Sequence, residues 1–271
     1  MPEGHTLHRL ALLHQRRYAG SAVSVSSPQG RFAGWSTVDG RTLESVEAVG
    51  KHLLHRYGPD ATVHVHLGLY GAFTEFTLPA PVPTGQVRMR VIGSKTGTDL
   101  RGPTACELLT EDGVERLFAR LGPDPLRDDA EPDRAWSRIS RSRTPIAALL
   151  MDQSVLAGVG NVYRAEVLFR HGIDPMVAGR QLGAERWRVI WDDLVGLMRA
   201  GVRAGRIDTV AAEHDPVATG RAPRKDRHGG EVYVYRRAGQ PCLVCSTPVA
   251  SNQLAGRTLY WCPSCQPAVR S

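Results

Sequence analysis

Near its C-terminus the chain reads Cys242-Leu-Val-Cys245 and, after sixteen further residues, Cys262-Pro-Ser-Cys265. Two Cys-x2-Cys pairs at such a separation are typical of a site in which four thiolates bind one zinc ion tetrahedrally. A pair of disulfide bonds is the weaker alternative. Because four cysteines leave no open coordination position for a substrate, the sequence predicts a structural rather than a catalytic metal. The metal would hold together a segment too short to have a core of its own.

The residues between the two cysteine pairs predict a β-hairpin at Gln253-Leu-Ala-Gly-Arg-Thr-Leu-Tyr260. We expect the turn of this hairpin to project Arg257. An arginine on a rigid turn can hold a phosphate group with two parallel hydrogen bonds. Arg257 is therefore a candidate phosphate-binding residue.

Upstream of the cysteines, apolar residues recur at helical spacing from Pro132 to about Ala204. Within this half, Gly158 and Gly160 allow a tight turn, and Asn161 is predicted to cap the helix that follows. The free N–H groups and positive dipole of a helix start can bind a phosphate. The Gly-x-Gly pattern alone is weak evidence. It is not a dinucleotide-binding motif, because the third glycine is missing and a helix precedes it.

Between about Ala22 and Leu109, short runs such as Thr62-Val-His-Val-His66 alternate apolar and polar residues. This alternation indicates half-buried strands, and Pro, Gly and Asp residues mark turns between them. We therefore predict an antiparallel β-sandwich. The Pro- and Asp-rich residues 122–132 follow it and are predicted to be the linker to the helical half.

Two glycine-containing stretches in the β-region carry further candidates. Gly50 permits an unusual backbone angle, so Lys51 stands at a turn or strand start. Lys51 is either merely exposed or placed against a phosphate or a proton-accepting oxygen. Leu69 and Tyr70 lie between two glycines. They either close a hairpin or form a wedge that enters a base stack.

The chain begins Met1-Pro2-Glu3-Gly4, followed by a helix predicted from Thr6 to Arg17. Removal of Met1, which the small next residue favours, would leave a secondary amine on Pro2. About a tenth of an α-amine is uncharged at neutral pH, so it can act as a nucleophile. It could attack a sugar C1′ to give an iminium ion, while Glu3 donates a proton to the opening ring. The simpler interpretation is that Pro2 only precedes a helix.

The composition restricts the class of protein. With 271 residues, 42% of them hydrophobic and 23% charged, the chain has room for one large or two ordinary globular domains. Neither a membrane-length apolar run nor a leader sequence is evident, so we expect a cytoplasmic protein. The net charge of +7 favours a polyanionic partner. The fifth cysteine, Cys106, is expected to be a buried thiol in a reducing compartment.

Four separated motifs together resemble the formamidopyrimidine-DNA glycosylase and endonuclease VIII family. They are Pro2-Glu-Gly4, Gly50-Lys-His-Leu53, the run Asp-Gln-x-x-x-Ala-Gly-x-Gly-Asn-x-Tyr-Arg at 152–164, and the four cysteines. The resemblance covers Pro2 to Gln266. It implies an α+β fold: an N-terminal helix and antiparallel β-sandwich, then an all-helical helix–two-turn–helix domain with a C-terminal four-cysteine zinc finger.

The resemblance also implies roles for single residues. Pro2 would be the nucleophile and Glu3 the acid that opens the sugar. Lys51 would bind a phosphate and assist proton transfer. Asn161 and Arg257 would hold the DNA backbone around a flipped nucleotide.

Two positions bear on the choice of damaged base. The Leu69-Tyr70-Gly71 stretch resembles the intercalating loop of endonuclease VIII more than the methionine-containing loop of the formamidopyrimidine branch, which favours oxidised pyrimidines. Thr6 stands where the family usually has a glutamate, so support of the active site or lesion choice can differ. The alternatives are the same chemistry on oxidised or ring-opened purines, and a non-catalytic zinc-finger module that binds damaged DNA.

The resulting expectation is a bifunctional DNA glycosylase/AP lyase of base excision repair that cleaves the strand by β,δ-elimination. Its domains would be a catalytic domain (1–121), a linker (122–132), a helix–two-turn–helix domain (133–230) and a zinc finger (231–271). It would carry one structural Zn²⁺ and need no catalytic cofactor. We expect a monomer in the bacterial cytoplasm, away from membranes and associated with the nucleoid through duplex DNA that contains oxidised bases or abasic sites.

Overall fold

The computed structural model describes residues 2–225 and 230–268. The chain divides into two compact units, Met1–Arg120 and Leu121–Ser271. Every helix within the described residues is too short or too polar to span a lipid bilayer.

The first unit has the predicted N-terminal helix and antiparallel sheets. Its elements are α1 (Gly4–Tyr18), β1 (Ser21–Ala22), β2 (Ser24–Ser26), α2 (Trp35–Val38), β3 (Thr42–Leu43), β4 (Ser45–Val49), β5 (His52–Arg56), β6 (Thr62–His66), β7 (Ala72–Thr77), β8 (Val87–Ile92), β9 (Thr96–Arg101), β10 (Ala105–Leu109) and α3 (Glu111–Ala119). One four-stranded sheet has the order β10-β6-β5-β4, the other has the order β2-β8-β9-β7, and β1 pairs with β3.

Helix α1 packs against β4 and β5. Its buried face presents Leu7 and Ala11 to the same apolar core as Val63 and Val65 of β6. Buried apolar side chains of this kind supply most of the favourable free energy of folding. The core therefore holds the start of α1 at a defined place on the sheet.

Strands β5 and β6 are buried on both faces, whereas the sequence alternation predicts half-buried strands. The second face carries histidines that bond to one another instead of facing water. Nδ1 of His52 lies 2.8 Å from Nε2 of His64, whose Nδ1 lies 2.9 Å from Glu107 Oε1. Buried polar groups are tolerated where they are hydrogen-bonded.

A second histidine pair lies within the core, between α1 and β5. His14 Nδ1 is 3.0 Å from His55 Nε2, and His14 Nε2 is 3.3 Å from Glu75 Oε1. Because the carboxylate only accepts, the hydrogen of the bond to Glu75 belongs to Nε2 of His14. Both rings are fully buried. Burial lowers the pKa of His55 well below its usual value, so this ring is neutral at physiological pH.

We expect the free energy of unfolding to fall as the pH drops below about 6.5. The unfolded chain then binds a proton on His55 that the folded protein excludes, which costs up to about 1.4 kcal/mol per pH unit. The effect has the same sign for His5 and His52, because burial lowers their pKa values to about 4 and about 3. Urea denaturation at pH 7.5 and 5.5 measures the dependence.

His55→Gln should be less stable than the parent at pH 7.5. Between pH 7.5 and 5.5 its free energy of unfolding should depend less on pH than that of the parent, because nearly one proton fewer is bound on unfolding. Equal pH dependence in the parent and His55→Gln would contradict the assignment.

The second unit is helical, with a β-hairpin near its end. Its elements are α4 (Pro132–Ile139), α5 (Ile146–Leu149), α6 (Asn161–Arg170), α7 (Ala184–Ala204), α8 (Pro216–Thr219), β11 (Ala250–Leu254) and β12 (Arg257–Trp261), with 3-10 turns at Gly179–Gln181 and Ala212–His214. One apolar core includes Trp187, Ile190 and Leu194 of α7 together with Tyr163 and Val167 of α6.

The segment 122–132, predicted to be a linker, begins inside this second unit. Gly122 to Pro125 are buried. The Gly122 N–H donates to the Gln153 carbonyl (2.9 Å), and the Ala157 N–H donates to the Pro123 carbonyl (3.1 Å). A Cβ on Gly122 would lie 2.3 Å from the Val155 carbonyl oxygen, so only glycine permits this approach. The prolines and aspartates thus shape a packed turn rather than a free spacer.

Candidate functional site

The start of α1 places a half-buried proline beside a buried acid. Glu3 is fully buried and precedes the first helical residue with an extended backbone. Its carbonyl accepts a hydrogen bond from the Thr6 N–H (2.9 Å). Pro2 is half-buried and next to it. The Thr6 hydroxyl lies 3.3 Å from Nε2 of His5, so the residue in the position of the family's usual glutamate contacts a histidine.

Lys51 lies in the two-residue turn that joins β4 to β5. Gly50 has a φ of 58°, a left-handed conformation that glycine adopts without strain. The strands on either side of the turn are those against which α1 packs. The Gln15 side-chain oxygen accepts from the Val46 N–H (2.6 Å), which ties α1 to β4. Pro2 and Glu3 at the start of α1, and Lys51 in the β4–β5 turn, therefore belong to a helix and a pair of strands that pack against each other.

Leu69 and Tyr70 lie in the connection between β6 and β7. This connection does not close a hairpin, because β6 and β7 belong to different sheets. The Gly71 N–H donates to the Leu67 carbonyl (2.9 Å), which keeps the loop tight. Leu69 is 46% exposed and Tyr70 is 86% exposed. Two adjacent apolar side chains this exposed are available to a partner.

The register of the sheet places this loop and the Lys51 turn at the same edge. His52, the first residue of β5, pairs with Val49 on one side and with His66, the last residue of β6, on the other. The chain therefore leaves both β4 and β6 at this edge. Lys51, Leu69 and Tyr70 therefore follow strands that end on the same side of the sheet.

Asn161 does not cap α6, and that prediction was wrong. Gly160 occupies the cap position with an extended backbone, and Asn161 is the first helical residue. Its side chain therefore points to other partners: Nδ2 donates to the Thr258 carbonyl (3.0 Å), and Oδ1 accepts from Arg164. Asn161 is buried, with 6% exposed.

Arg164 is a fully buried cation that sequence reasoning treated only as part of a motif. One of its terminal nitrogens donates to the Ala147 carbonyl of α5 (3.3 Å). The other donates to Asn161 Oδ1 and to the Thr258 carbonyl (3.3 Å). Its planar guanidinium thus joins α5, α6 and the β11–β12 hairpin.

Glu166, five residues after Asn161 in α6, is a second buried charged residue that sequence reasoning missed. Its buried carboxylate accepts from the Thr209 hydroxyl (2.6 Å) and from the N–H groups of Tyr233 (2.7 Å), Val234 (2.9 Å) and Tyr235 (2.8 Å). These residues lead into the cysteine segment. An acid flanked by apolar residues within a helix is the signal that could have identified it.

Replacing Glu166 with glutamine is expected to destabilise the second unit by about 3 kcal/mol. The NH₂ group of the glutamine amide would face backbone N–H groups whose hydrogen bonds the carboxylate now accepts, so donor would lie against donor. Urea denaturation followed by tryptophan fluorescence measures the loss, because Trp187 and Trp191 lie in this unit. Glu185→Gln removes the same charge at an exposed site on α7 and should change little. Equal stability of both variants would contradict the anchoring role.

The four cysteines converge as predicted. Their Sγ atoms lie within 4.8 Å of one another, with Cys242 to Cys265 at 3.9 Å and Cys245 to Cys262 at 3.4 Å. Four ligands at the usual zinc–sulfur distance of about 2.3 Å would be about 3.8 Å apart. The donor set and the spacing both suit a tetrahedral zinc ion.

The hairpin between the cysteine pairs forms as predicted and presents Arg257. Ala255 and Gly256 make its turn with φ angles of 49° and 70°. Arg257 is exposed at the start of β12. The next residue, Thr258, accepts from Asn161. The second unit therefore brings Arg257 to within one residue of the Asn161 contact.

Comparison with known proteins supplies family matches along most of the chain. Residues 1–105 match the formamidopyrimidine-DNA glycosylase N-terminal domain. Residues 121–212 match the formamidopyrimidine-DNA glycosylase H2TH domain. Residues 239–268 match the zinc finger found in formamidopyrimidine-DNA glycosylase and isoleucyl-tRNA synthetase.

Whole-chain relatives agree with these matches. "Endonuclease 8 1" of Mycobacterium tuberculosis is 57% identical over 98% of this chain and all of that protein. "Probable endonuclease 8 2" of Streptomyces coelicolor is 34% identical over all of this chain and 96% of that protein. "Formamidopyrimidine-DNA glycosylase" of a Synechococcus species is also 34% identical, over 80% of this chain and 79% of that protein.

Solved structures share the fold. The Lactococcus lactis formamidopyrimidine-DNA glycosylase, bound non-covalently to DNA containing an abasic site, has a TM-score of 0.77 and 20% identity. A complex of the same protein with DNA containing N7-benzyl-Fapy-dG has a TM-score of 0.79 and 22% identity. Each comparison covers 98% of this chain and all of the other.

Proposed function

Since this chain belongs to the formamidopyrimidine-DNA glycosylase family, we propose that Pro2 is its nucleophile. The members of this family are DNA-repair glycosylases that also have lyase activity at abasic sites. The observation that carries the proposal is the position of Pro2 directly before a fully buried acid, Glu3, at the start of α1. Met1, whose removal would free the amine, lies outside the described residues.

In the proposed reaction the Pro2 nitrogen attacks C1′ of a nucleotide extruded from duplex DNA. The C1′–N bond to Pro2 forms and the bond from C1′ to the damaged base breaks. The base leaves with the bonding electron pair and takes up the proton that the Pro2 amine loses. Glu3 gives its proton to the ring oxygen as the sugar opens, and an iminium ion results. The iminium acidifies the neighbouring C2′ hydrogen, so loss of the 3′ phosphate follows (β-elimination). Loss of the 5′ phosphate (δ-elimination) then leaves a one-nucleotide gap with phosphate at both ends.

Lys51, Asn161 and Arg257 are proposed to hold the backbone around the extruded nucleotide. Lys51 and Arg257 supply positive charge from a turn at a sheet edge and from a hairpin start. Asn161 is oriented by Arg164 and the Thr258 carbonyl. Phosphate contacts of this type set the position of a protein on DNA without reading its sequence.

Leu69 and Tyr70 are proposed to fill the space that the extruded nucleotide leaves in the base stack. Their exposure on a glycine-flanked loop supports this role. Apolar wedges of this kind compensate part of the cost of unstacking, which is lowest at a damaged base. The same loop, with the 57% identity to a protein named endonuclease 8, supports oxidised pyrimidines as the preferred substrates.

We further propose one structural zinc ion held by Cys242, Cys245, Cys262 and Cys265. Bound there, the ion would keep the β11–β12 hairpin, and with it Arg257, in a fixed orientation. Pro2 and Glu3 supply the chemistry, so the proposed reaction needs no catalytic cofactor. The proposed working form is a monomer in the bacterial cytoplasm, acting on duplex DNA rather than at a membrane.

Borohydride trapping on abasic duplex DNA tests the function. The parent protein should form a covalent adduct, and intact mass should show that Met1 is absent. Pro2→Gly, which keeps an N-terminal amine but loses the proline ring, should trap much less. A non-catalytic DNA-binding module would form no adduct. Full trapping by Pro2→Gly, or an active protein that retains Met1, would overturn the assignment of the nucleophile.

Substrate choice is tested separately with duplexes that contain thymine glycol, dihydrouracil or 8-oxoguanine. We expect faster excision of the two pyrimidines. Faster excision of 8-oxoguanine would assign the chain to purine repair with the same chemistry. Thr6→Glu, which restores the family's usual residue, shows whether that position contributes to the choice.

A further inference from the structure

Two stretches of the second unit run antiparallel on its surface, before α5 and before α7. The Arg180 N–H donates to the Ser142 carbonyl (2.9 Å), and the Gly179 N–H donates to the Thr144 carbonyl (3.0 Å). Pro145 and Ala178 form an isolated β-bridge beside them. The pairing places the neighbourhood of Arg180 against residues 141–144.

This pairing collects three arginines. Arg141, Arg143 and Arg180 are all exposed, and none forms an ion pair with another part of the chain that the structure describes. Residues 134–151 contain four arginines and no acid, and residues 175–184 contain Arg180 and no acid; the acids that flank these two stretches are Asp133, Asp152, Asp174 and Glu185. We name Arg141, Arg143 and Arg180 the arginine surface. Positive charges on paired stretches of the chain repel one another, and binding a polyanion would remove this electrostatic repulsion.

The backbone beneath the arginine surface is held in place. A Cβ on Gly179 would lie 2.5 Å from the Ile139 carbonyl oxygen and 2.6 Å from Leu149 Cδ1, so the chain passes here in close contact with α4 and α5. Ile139 and Ile146 beneath it are fully buried. A fixed backbone lowers the conformational entropy lost when the side chains bind.

The neighbours of the arginine surface favour nucleic acid over protein as its partner. Thr144 and Gln181 are exposed, and Ser142 is half-exposed. Hydroxyl and amide groups beside arginine are typical of contacts to phosphate. Interfaces with DNA are more polar and more positively charged than those between proteins, whose centres are apolar.

We propose that the arginine surface binds the phosphate backbone of duplex DNA outside the nucleotide that is repaired. The proposal rests on the proposed function. It adds to Lys51, Asn161 and Arg257 a sequence-independent contact that helps to retain the protein on undamaged DNA during the search for lesions. Such contacts release counterions, so they make affinity depend on salt.

The test compares two triple variants with the same net charge. The first changes Arg141, Arg143 and Arg180 to alanine. The control changes Arg127, Arg199 and Arg206 to alanine. These arginines form ion pairs with Asp129, Asp128 and Asp208, in that order. Each set lowers the net charge from +7 by 3, to +4. Affinity for an undamaged 30-base-pair duplex is measured from 50 to 300 mM NaCl, and thermal melting checks the fold.

The first variant should bind at least tenfold more weakly than the control at 100 mM NaCl. Its slope of log affinity against log salt should be shallower by about 0.9 for each arginine, or roughly 2.7 in all. Replacing the same three arginines with lysine should restore most of the slope. Equal slopes in the first variant and the control would overturn the proposal. Loss of binding to polyglutamate with an unchanged DNA slope would also overturn it, in favour of an acidic protein partner.

Failure of this proposal is distinguishable from failure of the proposed function. Single-turnover trapping at saturating enzyme should be equal in the parent and the first variant, since the arginine surface takes no part in the chemistry. If no protein traps abasic DNA, the function is wrong while the salt slopes still report on the arginine surface.

Discussion

Glu3→Gln is expected to remove a damaged base about 10²- to 10⁴-fold more slowly than the parent in single-turnover assays. Glutamine has nearly the same shape but has no acidic proton for the ring oxygen. Pro2 keeps its amine in this variant, so the attack on C1′ would lack only its acid. The measurement is release of thymine glycol from a duplex under saturating enzyme.

A preformed abasic site separates the acid role from a packing role. Its sugar already equilibrates with the open aldehyde, so Schiff-base formation there depends less on Glu3. Glu3→Gln should therefore still trap on abasic DNA with borohydride. Glu44→Gln, at an exposed position of the same unit, is the matched control. Full base removal by Glu3→Gln would refute the acid role, and equal losses on both substrates would point to misfolding of the buried site.

Cys262→Ser is expected to lose bound zinc and most of its affinity for DNA together. Three thiolates and a hydroxyl bind zinc poorly, and in small metal-held segments metal binding supplies the folding free energy. The β11–β12 hairpin would then no longer hold Arg257 at its place, and Thr258 would no longer meet Asn161. Metal content by elemental analysis and DNA affinity by fluorescence anisotropy measure both losses.

Cys106→Ser is the matched control for the metal. Cys106 lies in the core of the first unit, and burial raises the pKa of its thiol to about 12, so it is an unreactive neutral group. Its variant should retain zinc and DNA affinity even if it is less stable. If Cys262→Ser lost its zinc but kept its DNA affinity, the zinc finger would not be needed to hold Arg257 in the orientation that binds DNA.

Much of the fold was predictable because local patterns report local structure. The spacing of Cys242, Cys245, Cys262 and Cys265 follows from the reach of ligands around one metal ion, and the structure brings their sulfur atoms together. The alternation of residues 62–66 matches a strand, and the glycines beside Lys51 and Tyr70 match a turn and a loop. Each of these signals lies within one short stretch of the chain, the longest being the one from Cys242 to Cys265.

The errors arose where a residue's environment comes from distant parts of the chain. Residues 122–125 have the composition of a linker, but packing against the turn around Val155 buries them. The alternation in β6 implied a solvent face, but its histidines bond to one another and to Glu107. Composition and periodicity do not record such neighbours.

The sequence by itself predicted a β-rich first part, a helical second part and the convergence of the four cysteines, and it named Pro2, Glu3, Lys51 and Arg257 as candidate site residues. Only the tertiary structure decided that Asn161 bonds to Thr258, 97 residues later, that Arg164 and Glu166 are buried anchors, and that the stretch with Arg180 pairs with the stretch that holds Arg141 and Arg143. The physical reason is the separation along the chain between the residues that interact. Periodicity and ligand spacing are properties of neighbouring residues, whereas a buried charge is stable only where folding delivers its hydrogen-bonding partners from elsewhere in the chain.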